Sequence, residues 1–318
     1  MSLVEHNTNG GEELSPLPRA GVEWDSFPTH LFMTGNARFW DPSAIDFSAD
    51  AVDWREIDDG RRRAATYLIA QFCAGEEAVT RHIQPFLRSA VAGRRLGDEM
   101  YLSQVAFEKS KHAEVFALWS DAVGLSDDLT PYVEANPFYR QIVGDELPTA
   151  LAALDDDPSP VNEIRALVTY HQVVVGSLAL TGHHMVQRIC STHGILPGLR
   201  RVIRFVNADE RRHVAWSSYT CRRLIADDDA LWDVALTRLG ELTPLALGMI
   251  NWVDEQFETP PFGLDNAQFI AHAADRASRR LDAIAAARGR PVAEIDVDYS
   301  PEALEDSFGN EDDAALGA

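Results

Sequence analysis

The sequence predicts an all-helical protein folded as one bundle. Strand signals are scarce, with no run of alternating β-branched residues bounded by hairpin turns, whereas apolar residues recur at the 3.6-residue helical period. Helices of about thirty residues follow one another with no linker long enough to divide the 318 residues into domains.

Taken in order, a long helix is expected from about 53 to 94, and a second from 97 to 124 after the break at Gly93 to Gly97. A shorter one covers 136 to 154, and the turn Asp155-Asp156-Asp157-Pro158 then leads into a long segment, 160 to 193, that stops before Gly194 and Pro197. Helices at 198 to 226, at 229 to 257 with a kink at Pro244, and at 265 to 288 with Gly289 and Pro291 behind it complete the set. Residues 1–20 and the acidic, Gly/Ala-rich 300–318 are expected to be disordered, which leaves 21–299 as a single domain.

Composition excludes several functions. A formal charge of −22 with no compact arginine cluster argues against nucleic acid as a partner. No window of eighteen or more apolar residues offers a membrane span, and the N-terminus lacks the charged-then-apolar pattern of a leader. Cys73, Cys190 and Cys221 are far apart within apolar helical patterns and read as buried thiols of a reducing cytoplasm.

Chemistry is sought on the inward faces of the long helices. In "ADERRH", Glu210 and His213 stand at i and i+3 on one helical face, as two metal ligands require; read alone, Glu210 could equally be a solvated charge. Of Glu76 and Glu77 in "QFCAGEEAVT", one is expected to point inward. In "FEKSKHAEVF", His112 follows Glu108 by four residues and Lys109 by three, so the position where an ExxH pair would place its carboxylate holds a cation. Lys109 and Lys111 are the only lysines in the chain. The segment "TYHQVVVGSLALTGHH" carries Tyr170, His171, His183 and His184 but no carboxylate. A complete di-metal bundle site takes a glutamate from each of two helices and an ExxH pair from each of two others, and this sequence supplies only part of that set.

The stretches "PTHLFMTGNARFWDPSAIDFS", "GEEAV", "DEMYLSQVAFE", "LWSDAVG", "YRQI", "DERRHVAW", "TCRRL" and "ARGRPVAEIDVDYSP" resemble the ligand-binding oxidases related to the ribonucleotide reductase small subunit, over about residues 22 to 305. The resemblance implies a homodimer with a ferritin-like fold, a manganese/iron site, a bound long-chain fatty acid, and an ether crosslink between a valine and a tyrosine made by oxygen activation. It places metal ligands at Glu76, at residues 109 and 112, at residue 175, and at Glu210 and His213. Glu76, His112, Glu210 and His213 match; Lys109 and Val175 replace two glutamates. Val79 and Tyr170 match the crosslinked pair, and Asp209 matches the acid that orients the histidine at 112.

The replacements change the charge of the site. With two glutamates and a protonated Lys109 it starts at −1, so two divalent ions would take a water-poor interior to +3. At most one iron or manganese per chain is expected, or none, with the Lys109 ammonium bridging Glu76 and Glu210 in its place. Glu108 could act as a substitute ligand only by way of a local helix distortion such as a π-bulge. These expectations frame an oxidase with one metal against a metal-free or degenerate fatty-acid-binding relative. A ribonucleotide reductase radical subunit ranks third, because Phe116 stands where that role wants a tyrosine.

Overall fold

The computed structural model describes residues 21–316, so the expectation for residues 1–20 lies outside it. The helices are α1 (Phe27–Ala37), α2 (Ser48–Glu56), α3 (Asp59–His82), α4 (Gln84–Ala92), α5 (Leu96–Val123), α6 (Thr130–Glu134), α7 (Pro137–Tyr139), α8 (Leu147–Asp156), α9 (Pro160–Leu167), α10 (Leu180–His193), α11 (Pro197–Asp227), α12 (Leu231–Asp254), α13 (Asn266–Ala285), α14 (Val292–Ile295) and α15 (Ser300–Ala315). Wider π-helical turns over Arg140–Glu146 and Val168–Ala179 join α7 to α8 and α9 to α10. No strand occurs among the described residues, and no helix there is long and apolar enough to cross a membrane.

The single helix expected over 53–94 is three. Ile57 is extended and Asp58 caps a new helix by accepting from the Arg61 N–H. Pro85, which has no N–H to give, falls in the first turn of α4. The segment 160–193 is continuous but widens into the π turns at its centre. Helix α12 runs through Pro244 without a break. Gly124, at φ 76°, supplies the left-handed cap that ends α5.

The acidic C-terminal segment, expected to be disordered, forms α15 against α11 and α13. Its acids are spaced to meet arginines rather than water. Arg280 donates to both oxygens of Glu305, with Nη2–Oε2 at 2.8 Å, and Arg279 meets Glu311. The guanidinium carbons of Arg276, Arg279 and Arg280 lie 4.5, 4.4 and 5.1 Å from the centre of the buried Phe308 ring. Arg280 also donates to the carbonyl of Gly176 at 2.8 Å, a close approach that a Cβ at 176 would crowd to 3.1 Å.

The placement of the apolar clusters fixes where chemistry can occur. Along α5, Tyr101, Leu102 and Val105 belong to one cluster and Val115, Phe116 and Trp119 to another, and Glu108, Lys109, Lys111 and His112 lie between them. Along α11, Val202, Ile203 and Val206 precede Asp209, Glu210, Arg212 and His213, and Val214, Ala215 and Trp216 follow. A polar layer is therefore sealed between two apolar ones, where its members must satisfy one another.

Candidate functional site

Helices α3, α5 and α11 bring the layer together. The Lys109 ammonium donates to Glu210 Oε1 and stands 3.4 Å from Glu76 Oε2. His112 directs Nδ1 to Glu210 Oε1 at 3.1 Å and Nε2 to Asp209 Oδ2 at 3.1 Å. His213 directs Nδ1 to Glu210 Oε2 at 3.2 Å and Nε2 to Glu108 Oε2 at 2.7 Å. Arg212 Nη2 donates to Glu108 Oε1 and Asp209 Oδ1, both at 2.7 Å. Trp40 Nε1 donates to Asp209 Oδ2 at 2.9 Å, and Lys111 Nζ lies 3.4 Å from the same oxygen and 4.3 Å from the centre of the Trp40 ring. All of these charged groups are buried.

Four carboxylates, Glu76, Glu108, Asp209 and Glu210, face three cations, Lys109, Lys111 and Arg212, which leaves a single negative charge facing the two imidazoles. Burial alone would lower the pKa of Lys109, but Glu210 and Glu76 outweigh it and hold the ammonium charged above its ordinary value. Burial would likewise raise the pKa values of Glu76 and Glu210, yet Lys109, with His112 for Glu76 and His213 for Glu210, leaves both below the usual carboxylate range. The pKa values of His112 and His213 are raised despite burial, chiefly by Glu76 and Glu210 respectively. His213 has both nitrogens hydrogen-bonded to carboxylate oxygens, the arrangement in which imidazolium, with two N–H donors, is favoured; His112 bonds Asp209 through Nε2 and keeps Nδ1 in ion contact with Glu210 and Glu76 without a hydrogen bond.

Glu76 faces inward and Glu77 lies on the exposed side of α3. Val175 is buried in the π turns and brings no oxygen to the centre. Val79 and Tyr170 share one apolar cluster, and the centre of the Tyr170 ring is 5.9 Å from Lys109 Nζ. The Glu108 carboxylate is not among the grouped ligand atoms of Glu76, His112 and Glu210; it reaches His213 Nε2 from a regular α-helix. The relative rotation of α5 and α11 brings it there, and helical spacing within α5 alone could not reveal that. Nothing in "DERRH" marks which of its two arginines is buried, so the sequence carries no signal for Arg212, which pins Glu108 and Asp209 in place. His183 lines a cavity and bonds Asn207 through Nδ1 at 2.8 Å, and burial takes its pKa down to about 4. His184 lies apart, stacked on His272 near Asp312, an acid already held by Arg211 and Arg276.

A cavity of about 160 Å³ opens on the layer. Glu76, Lys109, Val79 and Val175 form part of its wall, and the rest is largely apolar, including Leu178, Ile250, Phe257 and Phe269.

The fold and site together define a helical bundle with a buried carboxylate–histidine centre beside an apolar cavity. The model of the family "Ribonucleotide reductase, small chain" matches residues 29–284, and the chain belongs to that family. Among solved structures, the R2-like ligand-binding oxidase from Sulfolobus acidocaldarius is 32% identical, with a TM-score of 0.79 over 88% of this chain and 97% of that one. A variant of an R2-like ligand-binding oxidase with an aerobically reconstituted Mn/Fe cofactor is 29% identical, with a TM-score of 0.80 over 86% of this chain and 98% of that one. The bundle is thus the ferritin-like one of these oxidases.

The residues present do not fit a binuclear Mn/Fe pair. An ammonium occupies the space between Glu76 and Glu210, and a buried valine stands where the resemblance places another carboxylate. One ligand atom each from Glu76, His112 and Glu210 lie within 4.8 Å of one another, a donor set for one ion only if Lys109 withdraws.

Proposed function

We propose that this chain is a ligand-binding member of the family in which the Lys109 ammonium stands at the centre that holds Mn/Fe in its relatives, and that it binds a long-chain apolar molecule without resident metal. The observation that carries the reading is the contact of Lys109 Nζ with both Glu210 and Glu76 inside a buried layer. An ammonium there supplies positive charge and hydrogen-bond donors but has no redox state, so oxygen activation by a metal pair has no seat. The apolar cavity beside it supports a fatty-acid-like ligand. A second reading, an oxidoreductase using one iron or manganese, is favoured by the convergence of Glu76, His112 and Glu210.

Elemental mass spectrometry of protein expressed with manganese and iron available separates the two. Less than a tenth of an equivalent of either metal per chain is the expected result on the metal-free reading; about one equivalent would replace that reading with the second.

The Val79–Tyr170 ether crosslink implied by the resemblance requires removal of two hydrogens by an oxidant. On the metal-free reading tryptic peptides carrying Val79 and Tyr170 should be recovered separately. A joined species two hydrogens lighter than their sum would show that the centre has performed an oxidation.

A homodimer in the cytoplasm belongs to the same proposal. Three free cysteines support the compartment, and light scattering should return about twice the chain mass of 35.2 kDa. A monomer mass would remove the dimer.

A further inference from the structure

The charged and polar groups around the cavity bear on the head of its ligand, a point that rests on the ligand-binding reading above. Its charged lining residues, among those described, are Glu76, Lys109 and Asp254. Neither His112 nor His213 lines it. Lys109 is the only cation of the three, and its ammonium already donates to Glu210 and stands 3.4 Å from Glu76. A carboxylate entering beside it would be the third on one ammonium, in an interior where water screens little of the repulsion.

Two polar atoms of the lining lack hydrogen bonds. Gln71 Nε2 is an unpartnered donor and Glu76 Oε2 accepts no hydrogen bond, although Lys109 Nζ stands 3.4 Å and His112 Nδ1 3.6 Å from it; the two residues are 8% and 6% exposed. Buried polar groups are ordinarily satisfied, so groups left open on a cavity wall point to a ligand that satisfies them. The amide of Gln71 calls for an acceptor and the carboxylate of Glu76 for a donor. An ionised fatty acid offers only acceptors, and at Glu76 it would set oxygen against oxygen. A hydroxyl or a primary amide offers both a donor and an acceptor without adding charge.

We propose that the cavity takes a neutral long-chain amphiphile, with a hydroxyl or carboxamide head that can donate and accept hydrogen bonds, in preference to the fatty acid of equal chain length.

Calorimetric titration of the full chain at pH 8 with dodecan-1-ol, dodecanamide and dodecanoate tests this. The alcohol and the amide are expected to bind about tenfold more tightly than dodecanoate. Glu76→Gln, which removes the carboxylate facing the head, is expected to strengthen dodecanoate binding and narrow the difference, a shift that a general loss of structure would not produce. Dodecanoate binding as tightly as the alcohol, or more tightly, would overturn the preference and leave the ligand-binding reading standing. Binding of none of the three would sink the ligand-binding reading itself.

Discussion

Lys109→Met is expected to lower the free energy of unfolding by about 3–5 kcal/mol, the usual consequence of removing one partner from a buried ion pair. The residue is 2% exposed, so water cannot replace the lost ammonium, and Glu76 and Glu210 would be left repelling one another across the space it held. Urea denaturation at pH 7 gives the number through the shift in midpoint at constant slope. The interdependence of the partners is the sharper test. Adding Glu76→Gln to Lys109→Met should recover part of the loss, because it removes one of the unpaired charges. A Lys109→Met protein within 1 kcal/mol of the parent would mean that the ammonium does not hold the centre together.

The same ion pair sets a direction for pH. Glu76 and Glu210 have folded-state pKa values below their ordinary 4.5, so their contribution is fully present above the unfolded value and is lost as pH falls through the folded ones. His112 and His213 act with the opposite sign: their values lie above 6.5, so their contribution is present below the unfolded value and fades as pH rises through the folded ones.

Lys109→Glu combined with Val175→Glu is expected to take metal content from near zero to about two ions per chain. The pair of substitutions completes the six-ligand set that the resemblance places on Glu76, His112, Glu210, His213 and these two positions, and four carboxylates then match the four positive charges of two divalent ions. Elemental mass spectrometry against protein concentration reads the result, and circular dichroism confirms that the bundle is retained. A folded double variant that stays metal-free would show that another part of the site excludes metal. Glu108 would then be the first suspect, since its carboxylate already occupies His213 Nε2.

The extent to which these features were legible in the sequence follows from the range of the forces involved. Helix identity came from the 3.6-residue period, and capping and proline chemistry explain the breaks at Asp58 and Pro85 that a continuous pattern concealed. The i, i+3 spacing of Glu210 and His213 was readable along one helix, and the Lys109 pairing could be reasoned from charge. The contact between Glu108 and His213 could not be read, because it depends on how α5 and α11 are rotated against each other. The π turns at 168–179 lie in a run that is buried over Val168–Gly176, the polar Thr169, His171 and Gln172 included, so no exposed polar face marks the helical period. The last helix was concealed by its composition: an acidic stretch looks solvated until the arginines that neutralise it, thirty or so residues earlier, are placed opposite.

That last helix has a consequence for how the chain acquires its site during synthesis. Arg280 grips the Gly176 carbonyl beside Val175 and is itself held by Glu305. A ribosome delivers residue 176 long before residue 305, so the cavity wall carrying Val175 receives that brace only after about 130 further residues have been added.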